Sequence, residues 1–520
     1  MKNETLMRRP WRRLMAAATL AALPAYGQTH LSPMPQAAAP PPQFVIKDGA
    51  IQLSVEDAVA VALANNLSLV IDRYTRSQAE HSIFSNLGIY DTRLFADAGY
   101  ADTQQATASE LEASKFKTAN FNLGLSQLFP TGGDLTVGYD NTRTETNLVF
   151  QSLNPAYESN LAARFVQPLL RDFGRLATER NIMVARVNSD ISQSAFEEII
   201  ANTIQSVENA YWNLVEARSQ VGVDEESLTL AQQLHDQNKV RVDVGTLAPL
   251  ELVQSESGIA TREEAIIRSQ YAVGNAEDTL RRLLNVPQGE EWSQSIVPTT
   301  PAEAERTTLD LEEGLKAAIE RRPELERLRL AEKSAQIDAD YAKNQVRPRL
   351  DLTARYGLGG IGGGSFGDPV EQITGFDFPI WGVGLTFAYP LQNRTARENK
   401  VIADLEVEKT AAITEDLMQQ LSTEVRVAVR AVDAAGKAID SANVSVRLAE
   451  RNLDAEHKRY DNGMSTSFQL LEIQEDLTQA RSRQVFALAA YRRALVEYYR
   501  ATGRLLEETG VVLDAPTAQN

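Results

Sequence analysis

No cysteine occurs among the 520 residues. Disulfides, thiolate metal sites, a cysteine nucleophile and a lipid carried on an N-terminal cysteine are therefore excluded. Histidine is almost as scarce. His30, His81, His235 and His457 are the only four, and they show no metal-ligand spacing, so no metal site is expected. His235 and His457 are expected on exposed stripes of long helices. Cations are in deficit, with 52 Lys and Arg against 70 Asp and Glu and a net charge of −18. Phosphate binding needs clustered Lys and Arg, so nucleic acid is not expected as a partner. Nowhere past the N-terminal region do 18 apolar residues run together, so no transmembrane helix is expected.

What is present starts with Arg8, Arg9, Arg12 and Arg13, followed by an apolar run from Leu14 to Leu23 and the small-x-small triplet Ala25-Tyr26-Gly27. That order reads as a signal peptide over residues 1–27, cleaved near Gly27–Gln28. An exported chain without a membrane helix is soluble in the periplasm, secreted, or a β-barrel. Residues 28–50, with Pro33, Pro35 and Pro40 to Pro42, read as an extended Pro-rich linker.

The rest is a tandem duplication. Leu53 to Tyr100 aligns without gaps on Leu309 to Tyr356, and Arg241–Gly245 aligns on Arg459–Gly463. The repeats span 51–297 and 307–508, with a joint at 298–306 and a tail at 509–520. Each half has one order of elements. A helix of about 35 residues comes first (54–88 and 310–346). Strand-like segments follow (about 93–167 and 349–390), then a very long helix (175–243 and 395–461), a Gly-containing turn and a last helix (249–285 and 466–508).

The long helices carry a 3-4 spacing. It runs Val207, Ala210, Leu214, Ala217, Val221, Asp224, Leu228, Ala231 in the first half. In the second it runs Val425, Ala428, Val432, Ala435, Ile439, Ala442, Val446, Ala449, Leu453. A heptad seam means helix-on-helix packing with left-handed supercoiling, and the alanines allow close approach. Helices of this size are about 100 Å long at 1.5 Å per residue, a span suited to the periplasm rather than to a globular domain.

The strand segments alternate. Leu94, Ala96, Ala98 and Tyr100 interleave with Phe95, Asp97 and Gly99, and Leu350, Leu352, Ala354 and Tyr356 with Asp351, Thr353 and Arg355. Phe121, Leu123 and Leu125, then Leu135, Val137 and Tyr139, then Leu161, Ala163 and Phe165, then Val383, Leu385 and Phe387 repeat the pattern. Apolar-out, polar-in segments of about ten residues mark transmembrane β-barrels; a soluble two-faced sheet alternates in the same way. So few strands per chain cannot close a barrel, and closure needs an oligomer.

Three duplicated patterns together resemble the TolC family of outer-membrane channels, over nearly all of residues 50–508. One is a Leu-x-x-Glu-x-x-Leu-x-x-Ala opening to each half, from Leu53 (with Val59 at the second leucine) and from Leu309. Another is the strand-to-helix step Gln167-Pro168-Leu169 and Tyr389-Pro390-Leu391. The third is the turn Arg241-x-x-x-Gly245, repeated as Arg459-x-x-x-Gly463. The resemblance implies a mainly α chain with membrane β, forming a trimeric α-helical barrel continuous with a shared transmembrane β-barrel. It implies a homotrimer in the outer membrane, in contact with its lipid and extending into the periplasm. It implies a passive duct with no cofactor, serving a tripartite efflux pump or a type I secretion system. The implied partners are a periplasmic adaptor (membrane fusion protein) and an inner-membrane RND, ABC or MFS transporter.

By the same resemblance, Arg241, Val244, Gly245, Thr246, Arg459, Asn462, Gly463 and Met464 fall at periplasmic tips that contact the adaptor. Glu251, Tyr460 and Glu472 fall at the constriction that gates the duct. Three copies of Glu472 would make an acidic ring favouring cations. The other reading of Glu251 and Glu472 is a solvated carboxylate at a helix start. Ser465 stands where an archetypal member of the family has a gate arginine, so an Arg–carboxylate latch is not carried over. Residues 117–129, Pro130-Thr131-Gly132-Gly133 and 134–145 are also in excess of two strands per half. They are taken as a long extracellular or folded-in loop, leaving twelve strands per trimer; as a further hairpin they would give eighteen.

Gly357 to Gly367 superficially matches a phosphate loop, but no Lys-Ser/Thr follows, and a flexible outer loop with no helix start is expected there. No Ser-His-Asp constellation or carboxylate pair identifies an enzyme. The alternative to a channel is a non-conducting structural coiled coil or adhesin that spans the cell envelope.

Overall fold

The computed structural model describes residues 45–47, 49–109, 112–148, 150–289, 292–302 and 308–511. The signal peptide, the linker through residue 44 and the tail beyond 511 lie outside the described residues. In chain order the elements begin with strands β1 (Val45–Lys47) and β2 (Ala50–Leu53), then helices α1 (Val55–Asn65) and α2 (Leu67–Leu87). Four strands follow: β3 (Arg93–Gln104), β4 (Lys115–Leu128), β5 (Asp134–Thr146) and β6 (Ala156–Pro168). Helices α3 (Arg175–Asp243) and α4 (Pro249–Leu284) and strand β7 (Ser295–Pro298) complete the first repeat. The second runs α5 (Leu311–Arg321), α6 (Pro323–Gln345), β8 (Arg349–Gly362), α7 (Gly367–Gly375), β9 (Pro379–Ala388), α8 (Arg394–Asp461), α9 (Ser467–Ala501) and α10 (Leu505–Glu508).

Among the described residues the chain divides into two compact units, one from Glu80–Arg186 and Ser334–Val407, the other from 45–79, Val187–Lys333 and 408–511. The first is a single antiparallel sheet in the order β3-β4-β5-β6-β8-β9. Residues 115–128 and 134–146 are thus strands in full register with their neighbours, not a loop. The expectation of a loop is corrected: thirteen paired positions join β4 to β5, an extent of backbone bonding that a folded-in loop lacks.

Register aligns the apolar sets. Leu94 pairs with Leu125, Leu125 with Val137, Val137 with Ala163, Ala163 with Tyr356 and Tyr356 with Trp381. One face of all six strands is therefore apolar, and Leu94, Phe121, Tyr356, Trp381, Val383, Leu385 and Phe387 stand exposed on it. Asp97, Asn122, Asp140, Asn160, Arg164 and Arg355 occupy the other face. A one-residue slip at any ladder would mix the two sets.

The glycine-rich stretch is also ordered. Gly357–Gly362 belongs to β8, and α7 starts at Gly367, so the expected flexible loop without a helix start is corrected. A Cβ on Gly360 would stand 2.4 Å from the Pro369 carbonyl oxygen, so glycine lets α7 lie directly on β8. The Asp368 carboxylate accepts from the Gly364 amide at 2.8 Å and the Ser365 amide at 3.4 Å. The amides a phosphate would need are already satisfied.

The second unit is helical around three apolar clusters. The seam residues of α3 and α8 are buried or half-buried along their length, with Val207, Leu214 and Val425 fully so. A small sheet, β1-β2-β7, caps one cluster. Residues 45–47 and 50, assigned to the linker on composition, are strands there. Buried Tyr211 ties the sheet to α3, donating to the Leu53 carbonyl (3.1 Å) and accepting from the Thr300 amide (2.9 Å).

Each opening helix, expected as one piece of about 35 residues, is broken at Asn66 and again at Arg322. These positions correspond in the duplication. Pro323 disfavours helical dihedrals at Arg322, and the Asn66 side chain instead accepts from the Ser68 amide at 2.9 Å. Buried Arg322 then forks onto Glu324 (2.7 and 2.9 Å) and reaches Glu424 (2.9 Å). These carboxylates hold its pKa up against burial, and Arg322 in turn holds that of Glu324 down.

Candidate functional site: the helix-pair tips

The Arg-x-x-x-Gly repeat is a pair of helix stops. Gly245 and Gly463 take φ of +79° and +72°, which glycine adopts without steric cost. The Thr246 amide donates to the Arg241 carbonyl (2.8 Å) and the Gly245 amide to that of Val242 (3.0 Å). Met464 and Gly463 repeat both bonds onto Arg459 and Tyr460, at 2.9 and 3.0 Å. Both turns are Schellman motifs, with Arg three positions inside the helix end and Gly just past it. The chain restarts at Pro249, in the first helical position, and after Thr466, whose hydroxyl accepts from the Gln469 amide.

Tyr460 lies at the centre, 1% exposed, packed on Leu234 and Leu470. Its hydroxyl donates to Asn238 Oδ1 and lies 3.1 Å from Ser467 Oγ. Asn238 Nδ2 donates to Ser467 Oγ at 2.9 Å. The Glu251 carboxylate accepts from the Ser467 amide at 3.0 Å, at the amino end of α9, where a negative charge is favoured. Arg241 stands 4.7 Å from the Tyr460 ring centroid and donates to the Tyr460 carbonyl (3.2 Å) and to Asp461 (3.0 Å). One side chain from each of α3, α4, α8 and α9 thus enters a single buried network.

Glu251, Tyr460 and Arg241 are brought together. Glu472 is not: it is exposed on α9 and has no partner among the described residues. Arg459 bonds Glu456 at 2.8 Å, and Ser465 bonds the same carboxylate. Val244, Thr246, Asn462 and Met464 are exposed at the turns, alongside exposed Val240, Leu250 and Phe468.

Sequence reasoning missed Asn238 and Ser467, both fully buried. The 3-4 spacing of α3, continued past Ala231, reaches His235 and Asn238, and this was the available signal. His235 accordingly is not on an exposed stripe; it is half-buried, with Nδ1 3.0 Å from Ser255 Oγ. His457 is also only half-buried, beside Asp461 at 3.0 Å.

Further along the same helices a cleft of about 430 Å³ holds Arg262. Its guanidinium is buried, donating to Ser227 Oγ (3.0 Å) and to the Gly258 carbonyl (3.2 Å), with Glu475 at 3.9 Å. Burial lowers its pKa, and Glu475 only partly offsets this. No group of side chains suited to a metal ion occurs among the described residues, and none of their helices is long and apolar enough to cross a membrane.

The sequence model of the family described as "Outer membrane efflux protein" matches residues 105–286 and 314–504. The chain is 22% identical over 436 residues to the pyoverdine export outer membrane protein OpmQ of Pseudomonas putida, covering 82% of this chain and 84% of that protein. Its fold is similar to the CmeC outer membrane channel of Campylobacter jejuni, with a TM-score of 0.64 at 15% identity over 87% of this chain and 86% of that one. It is also similar to the outer membrane protein VceC of Vibrio cholerae, with a TM-score of 0.62 at 15% identity over 86% and 96%. The family model spans β4 to β6, α3 and α4 in the first repeat and nearly all of the second, both helix-pair tips included, and the chain belongs to the outer membrane efflux protein family, as a channel of the outer membrane and not an enzyme.

Proposed function

We propose that three copies of this chain, each contributing six strands, close one eighteen-stranded barrel, and that the duct so formed passively carries small molecules out of the cell. The observation that carries this reading is the pair of free edges. Strands β3 and β9 are exposed at every position, and a long unpaired edge is a template for another chain. In a six-stranded antiparallel sheet the two edges run oppositely, so β9 of one copy continues the ladder onto β3 of the next. The apolar face would then meet lipid and the polar face line the lumen. The copy number follows the family resemblance. Small-molecule cargo is suggested by the pyoverdine export relative.

The absence of cysteine makes the closure directly testable. With Tyr100→Cys in β3 and a scan of Trp381, Val383, Leu385 and Phe387 to Cys in β9, one combination is expected to cross-link chains into a ladder ending at three. Bridged Cα atoms must lie within about 7 Å, so only adjacent edges react. A ladder ending at two, or no ladder from any pair, would contradict the closure.

At the periplasmic end, a partner adaptor coupled to an inner-membrane transporter would dock on the tip turns. Exposed Val244, Met464, Leu250 and Phe468 give it an apolar surface with polar Thr246 and Asn462 beside it, while Arg241, Gly245, Arg459 and Gly463 shape the turns. The Tyr460–Asn238–Ser467–Glu251 network would hold the tip closed, and Glu472 would set its cation preference.

A further inference from the structure

We propose that Arg164 and Arg355, with Arg93 as a separate cation three strands along the same row, form a cationic belt on the lumen wall that binds anionic groups, carboxylate or phosphate, of solutes passing through the barrel. The inference rests on the polar face lining the lumen. Arg164 and Arg355 are directly opposed partners in the β6–β8 ladder. Arg93 lies on the same transverse row, reached through Ser126 and Thr136. All three are exposed, and none has a hydrogen-bond or ion-pair partner among the described residues.

Other arginines of this sheet are matched with carboxylates. Arg143 pairs with Glu145 at 2.8 Å, and Arg349 with Asp351 at 2.6 Å. Like charges directly opposite across a ladder are destabilising, so the fold itself gains nothing from Arg164 beside Arg355. Strand β9, on the far flank of Arg355, has no charged side chain. Asp134 is diagonal to Arg164 on β5 and accepts from Thr136 at 3.1 Å, and exposed Asp91 lies two residues before Arg93, away from the Arg164–Arg355 pair. Asp97 and Asp140 belong to a row four residues further along, about 13 Å away at 3.3 Å per residue. That exceeds the Debye length of about 8 Å at physiological salt, so they do not neutralise the belt. What remains is a set of planar, permanently charged forks suited to two-point binding of carboxylate or phosphate.

The test uses the detergent-extracted oligomer and calcein, a fluorescent polycarboxylate, read by anisotropy at low ionic strength. Wild type is expected to bind it, with affinity falling steeply as KCl is added. R164Q/R355Q is expected to weaken binding about tenfold or more, since a hydrogen bond to a charged group contributes about 1.5–3 kcal/mol and 1.4 kcal/mol is tenfold. R164K/R355K keeps the charge, loses the fork, and should fall between. R355Q should melt no lower than wild type; a purely structural arginine would lower it. Unchanged calcein binding in R164Q/R355Q, or no binding by a wild-type preparation that conducts ions, overturns the belt alone. A preparation that neither enters bilayers nor binds calcein overturns the channel reading and the belt with it.

Discussion

Replacing Tyr460 by Phe and Asn238 by Ala together is expected to raise the open probability of the reconstituted channel by about 30-fold or more. The double change removes the Tyr460–Asn238 and Tyr460–Ser467 contacts and the Asn238–Ser467 bond at one stroke. Two or three buried hydrogen bonds at about 1 kcal/mol each, with a desolvated Ser467 left behind, amount to about 2–4 kcal/mol per chain. A 30-fold shift needs only about 2 kcal/mol. Phenylalanine keeps the packing on Leu234 and Leu470, so the helix pairs should stay folded while the polar lock is lost. Single-channel recording in a planar bilayer reads the change directly. Glu472→Ala leaves this network intact, and should alter cation preference with little change in open probability. If the double variant opens no more often than wild type, Tyr460 is core packing and not a latch.

Glu208→Gln is expected to stabilise the protein at pH 8 and to abolish a pH dependence seen in wild type. Glu208 projects from α3, one turn before Trp212, whose ring lies under the Arg492 guanidinium at 5.2 Å. Burial raises its pKa to about 7, Glu56 adds to the rise, and Arg492 opposes it. The folded state thus retains a proton that the unfolded chain releases near pH 4.5. Below that pH both states are protonated and nothing is lost. As pH climbs towards 7 the unfolded state ionises first, and stability falls by up to about 3 kcal/mol per chain. Melting temperatures at pH 5 and pH 8 should diverge in wild type and converge in the glutamine variant. An equal slope in both proteins would assign the effect to other groups.

Periodic features were legible before any coordinates. Ends of α3 and α8 are readable because each is written twice, as Arg and Gly four residues apart, and the turn needs a left-handed residue. The seams are readable because Val207 or Val425 recurs with the helix period. Strand alternation is readable too, even in residues 117–145, but alternation alone does not separate a strand from a loop there. Alternation is a property of one strand, whereas membership of a sheet depends on register with neighbours distant in sequence, as between Ala163 and Tyr356.

The tip network shows the same limit from another side. Asn238 sits on the seam, but a polar residue there looks no different in sequence from one on a solvated face. Only the approach of Tyr460 and Ser467 from the second repeat explains it. The break at Arg322 had a visible cause in Pro323. The matching break at Asn66 had none, because its Asx-type bond to Ser68 competes only weakly with helix in isolation.

The central claim is that this chain makes a membrane-embedded conduit, and bilayer conductance of the purified full-length oligomer tests it most directly. Wild type is expected to need detergent for extraction, and to give rare, small, cation-selective openings that become frequent once Tyr460 and Asn238 are replaced. A protein that extracts without detergent, and passes no current even with the tip network removed, would contradict the account and leave a non-conducting rod.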